Sequence, residues 1–159
     1  MFKFASALTA IVAMAAASSA GAQTISPTGS FTLSGSARMQ QSTTANCNIS
    51  GSGTNTATTG TITSRSFPSG TAFLCGPFGL VQPYGAWSFR VHETDTDKVY
   101  LTVGANTVLN APCYGEILVA FSGSTITFNN NVLPPVNAGD PSCTIVSGSV
   151  TISPTRTIS

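Results

Sequence analysis

Charge is the first thing this chain has little of: 7% of its residues are charged, against roughly 25% in a typical soluble domain. Six Lys and Arg face five Asp and Glu, and there is one histidine. No basic stripe exists for a nucleic acid to follow, which excludes that partner class. With one histidine, few acids, no G-x-S-x-G elbow and no phosphate loop, nothing assembles the parts of a catalytic triad or a nucleotide site. The sequence therefore reads as a non-enzyme with no cofactor. C-x-x-C pairs are missing too, so the four cysteines do not have the spacing of a zinc site. Also missing is an apolar run of the roughly 18 to 20 residues that cross a bilayer as a helix.

The longest apolar run, Phe4 to Ala17, follows Lys3 and precedes Ser18, Ser19, Ala20, Gly21 and Ala22. That is the layout of a secretory signal peptide, with cleavage expected before Gln23 and no transmembrane segment in the mature chain. Residues 1–22 are thus expected to be removed, leaving residues 23–159 as one domain of ordinary size. Lys3 leaves with the leader, so five cations and five anions remain and the net charge is zero. A surface solvated by Ser, Thr, Asn and Gly lacks the like-charge repulsion that keeps domains apart, which favours association with itself or with an interface.

Cys47, Cys75, Cys113 and Cys143 all lie in the exported part, where an oxidising compartment turns paired thiols into disulfides. Four cysteines permit three connectivities. The pairing expected here is Cys47 with Cys75 and Cys113 with Cys143, because each then closes a moderate loop and ties an irregular segment to a strand.

Short runs of Thr, Ile, Val and Phe recur between Gly, Pro, Asn and Ser, with no sustained helical period. Trp87, Phe89 and Val91 alternate with Ser88, Arg90 and His92. Glu93 to Asp97 makes the turn, and Val99, Leu101 and Val103 return. Glu116 to Phe121 is nearly continuously apolar and reads as a central strand covered on both faces, while Val146, Val150 and Ile152 mark the last strand. Pro68 to Pro83 reads as a loop around Cys75. The fold class expected is all-β: one antiparallel β-sandwich or barrel-like domain.

Several of these pieces occur together in one family: S-P-T-G-S-F-T at Ser26 to Thr32, N-C-N-I-S-G-S-G at Asn46 to Gly53, F-L-C-G at Phe73 to Gly76, I-T-F-N-N-N-V-L-P at Ile126 to Pro134, and C-T-I-V-S-G-S-V-T-I-S-P at Cys143 to Pro154. In their order and cysteine placement they resemble the alkane oxidation protein activators, the PraB-like family. The resemblance implies an exported β-protein linked to growth on long-chain hydrocarbons, and no catalytic residue. Pro77 to Pro83 and Glu93 to Asp97 lie outside it. A weaker resemblance, through composition and an early N-C-x-I strand, is to chaperone-usher pilins and spore-coat-U-like domains.

His92, Glu93, Asp95 and Asp97 are the one cluster of ligand-type residues; without an EF-hand glycine or terminal glutamate they read as a turn rather than a metal site. Tyr84, Trp87 and Phe78 could form an aromatic patch for sugars or hydrocarbons, although the alternation of Trp87 with Phe89 assigns it to the core. The leading expectation is a structural or interaction protein of the cell surface or extracellular space, at a hydrocarbon or lipid interface. The alternative is a carrier holding an alkane or lipid in an apolar cavity. The uncharged segment Thr24 to Ser36 is expected in its own sheet, with self-association by strand addition as a second use.

Overall fold

In a computed structural model the described residues are 22–107 and 110–159. The expected signal peptide, residues 1–22, lies outside them except for Ala22. Every regular element described is a strand, and every pairing is antiparallel.

The strands are β1 (Ile25–Ser26), β2 (Gly29–Gln40), β3 (Thr44–Asn55), β4 (Thr59–Ser66), β5 (Val81–Pro83), β6 (Trp87–Val91), β7 (Lys98–Thr107), β8 (Asn110–Ser122), β9 (Thr125–Leu133), β10 (Cys143–Ser153) and β11 (Thr157–Ile158). Pairing runs β7-β6-β4-β3-β2-β10-β9-β8 and returns from β8 to β7. Eight strands thus close into a barrel, which decides between the sandwich and barrel expectations. Closure is what disposes of sheet edges. The N-terminal segment sits inside this wall: β2 pairs with β3 on one side and β10 on the other, in its own sheet as expected.

Alternation explains the core. Phe31, Leu33 and Ala37 on β2, Phe89 and Val91 on β6, Val99, Leu101 and Val103 on β7, and Ile126 and Phe128 on β9 are buried, with polar residues and Tyr100 at the alternate positions between them. In two places the expected pattern shifts. Leu118 is 42% exposed, so β8 is covered on its inner face alone, by Ile117, Val119 and Phe121. On β10 the register with β2 slips between Ile145 and Ser147. Val146 is the extra residue of a β-bulge, so Ile145 takes the inward position and Val146 is only half-buried.

The lower end of the barrel is closed by the β1–β11 clasp. There Thr24 N–H donates to the Ser159 carbonyl at 2.8 Å and Ser159 N–H to that of Thr24 at 3.0 Å. Arg156, 2% exposed, plugs this end. Its guanidinium donates to Asn55 Oδ1 at 3.1 Å, the Pro154 carbonyl at 3.1 Å and the Ser30 carbonyl at 2.7 Å. None of these partners carries charge, so carbonyl and amide dipoles from three parts of the chain stand in for a counter-ion.

Candidate functional site: a bridged patch in the barrel wall

Among the described residues, side chains fill most of the barrel interior. Its apolar cavity, walled by Leu33, Ile49, Trp87, Leu101 and Phe128 among others, holds about 40 Å³, and a neighbouring one toward Gln41 and Thr107 about 30 Å³. Eight-stranded barrels are just wide enough for side chains to fill.

The wall has a gap that strands alone do not cover. β4 pairs with β3 only from Ser50 to Asn55, and β6 pairs with β7 only up to Thr102. The upper parts of β3 and β7 consequently face one another beyond the reach of the β4 and β6 pairings. Residues 67–83 fill that space. On the β3 side Asn48 N–H donates to the Ser69 carbonyl at 2.8 Å, Thr71 N–H to the Asn46 carbonyl at 2.8 Å, and Cys75 is joined to Cys47. On the β7 side β5 pairs Val81 with Thr107 and Pro83 with Ala105. Phe67 packs inward, its ring 6.1 Å from that of Trp87. The second bridge, Cys113–Cys143, ties β8 to the start of β10.

Within this patch residues 73–80 form a closed loop. Leu80 N–H donates to the Phe73 carbonyl at 3.1 Å, Val81 N–H to Leu74 at 2.7 Å, and Gly79 N–H to Gly76 at 3.0 Å. The Gln82 amide donates to the carbonyls of Gly76 at 3.0 Å and Gly79 at 2.8 Å. From this frame Phe73 and Phe78 project with 88% and 97% of their surfaces exposed. Phe73 has φ of 63°, a left-handed conformation uncommon for a bulky residue.

The aromatic trio suggested by sequence is not one patch. Trp87 is 6% exposed, its indole donating to the Tyr84 and Gly104 carbonyls at 3.1 Å each. Tyr84 stacks edge-on against Tyr114 at 6.1 Å. Phe78 instead shares its loop with Phe73, whose part sequence reasoning missed. The signal available was the absence of charge from Ser66 to Phe89, which leaves apolar residues there no ionic neighbours.

The acidic turn is occupied by its own cations. Arg90 holds Glu116 through two bonds, at 3.0 and 3.1 Å, and Glu93 at 2.7 Å, while Lys98 holds Asp95. The guanidinium of Arg90 lies 3.6 Å from the Tyr100 ring centre, and His92 stacks on that ring at 5.3 Å. Bonding to Glu116 pushes the Arg90 pKa up. Glu93 is held below its usual range first by its own backbone amide and then by Arg90, and Asp95 first by Lys98. His92 Nδ1 accepts from the amides of Thr94 and Asp95 at 3.3 and 3.2 Å, so it serves the turn. Among the described residues no group of three His, Cys, Asp or Glu could hold a metal ion.

Fold and surface together define a small, closed, disulfide-braced β-barrel with an apolar cavity of about 40 Å³ and an aromatic loop exposed on its outside. The model of the family described as alkane oxidation protein activator PraA/PraB-like matches residues 1–159, and the chain belongs to that family. Neither a curated protein nor a solved structure matches it.

Proposed function

We propose that residues 23–159 are exported and support alkane oxidation without catalysis, by acting from their outer surface at a hydrocarbon–water interface. The observation that carries this reading is the cavity of about 40 Å³. Sites that enclose small molecules run to about 300–1,000 Å³, so a long alkane has no room in this cavity. That favours the surface over the carrier reading. The outer wall suits adsorption: it is rich in hydroxyls and amides, and Arg90, Glu93, Glu116, Asp95 and Lys98 are paired with one another. The single histidine is engaged by backbone amides, which supports a non-enzymatic role.

The test is a pendant hexadecane drop in a solution of purified residues 23–159, with native mass spectrometry of protein equilibrated with hexadecane. The expected result is a fall in interfacial tension and no bound alkane. A stoichiometric alkane complex with unchanged tension would overturn the proposal in favour of a carrier.

A further inference from the structure

We propose that the bridged patch 67–83 is the docking element for the hydrocarbon surface, with Phe73 and Phe78 entering the apolar liquid; this rests on the interfacial function above. Phe73 and Phe78, 88% and 97% exposed, lie on one short loop, and large apolar side chains exposed together mark an interaction site where isolated ones do not. The loop is prepared for an apolar phase in a second respect. Backbone groups entering hydrocarbon must be satisfied internally. Here Leu80, Val81 and Gly79 bond back to Phe73, Leu74 and Gly76, and the Gln82 amide takes up carbonyls at the tip. The Cys47–Cys75 bridge and β5 hold the patch at both flanks, so little ordering remains to be done on adsorption.

Charge selects the occupant. Loops that dock on phospholipid set Lys and Arg against headgroups, yet no residue from Ser66 to Phe89 is charged. An uncharged liquid alkane surface matches this segment. A second copy of the chain fits less well. Two Phe side chains bury at most about 500 Å², short of the roughly 800 Å² per partner of a standard interface.

The experiment measures partition of residues 23–159 onto hexadecane droplets, with phosphatidylcholine and phosphatidylglycerol vesicles of equal area and sedimentation velocity beside it. Phe73→Asn suits the left-handed backbone there, and Phe78→Ser changes a side chain that touches almost nothing, so both variants keep their melting temperature. Each ring is expected to raise the partition constant roughly tenfold or more, from the transfer free energy of a buried Phe. The double variant should then partition roughly a hundredfold less, while Val132→Ser, 55% exposed elsewhere on the wall, stays within about twofold. If wild type adsorbs and the double variant adsorbs equally, the docking loop is wrong and the interfacial function stands. If wild type does not adsorb, the function itself falls. Tighter binding to either vesicle than to droplets, or a dimer that the double variant abolishes without changing adsorption, overturns the hydrocarbon assignment.

Discussion

Arg156 shows how a single charged residue can be fully buried without an ion pair. Three oxygens from β2, β3 and the Pro154 turn converge on it. Truncation would leave those acceptors dry, and each unsatisfied buried polar group costs about 1–3 kcal/mol. Arg156→Ala is therefore expected to destabilise by about 3 kcal/mol or more, read as a lower urea midpoint. The exposed acidic turn behaves in the opposite way. Asp95→Asn with Asp97→Asn should shift the melting temperature by less than about 2 °C, as surface changes do. Glu93 and Asp95 have folded pKa values below their unfolded ones. Their contribution is present above the unfolded values near about 4 and is lost as pH falls through the depressed folded values. Melting temperature should be flat from neutral pH to about 5 and decline modestly below about 4; a profile that stayed flat down to about pH 2 would show that these carboxylates contribute nothing.

Glycines within the strands let bulky neighbours lie flat against the backbone. A Cβ on Gly60 would sit 2.2 Å from the Phe89 ring, which covers that position from β6 across the β4–β6 pair. Phe89 is buried and cannot swing away. Gly60→Ala is expected to cost about 1–3 kcal/mol, an overpacking effect measurable by denaturant unfolding. Period-two alternation made most of the wall legible in sequence, and the β6–β7 hairpin has its Arg90–Tyr100 and Phe89–Leu101 pairs where that alternation puts them. It could not show the bulge at Val146, because a bulge changes parity without changing composition. Nor could it show that Leu118 faces water, since an apolar run has no phase from which to read its outer side. The patch 67–83 was legible only as a loop around Cys75. Its place in the wall follows from where β4 and β6 stop, and strand ends are poorly marked in a Ser- and Thr-rich chain. Phe73 was invisible for the same reason: exposure is set by what a loop rests on.

At the scale of the whole molecule, two bridges of sequence separation 28 and 30 brace one closed wall. Each is expected to stabilise by about 3 kcal/mol through the entropy of the unfolded chain, so thiol reduction should lower the melting temperature sharply at unchanged pH. Export is checked by N-terminal sequencing of protein recovered from the medium, which should begin at Gln23. The clasp between Thr24 and Ser159 has a further consequence for engineering. With those residues hydrogen-bonded to each other, a short linker from residue 159 to residue 23 would add almost no strain, and the chain could be reopened at the exposed turn 137–140. Such a circular permutant should form the same barrel with both bridges. The linker, at the Arg156 end, would lie away from Phe73 and Phe78, so the rewired protein could be tethered by its new termini or its linker with its aromatic loop still bare.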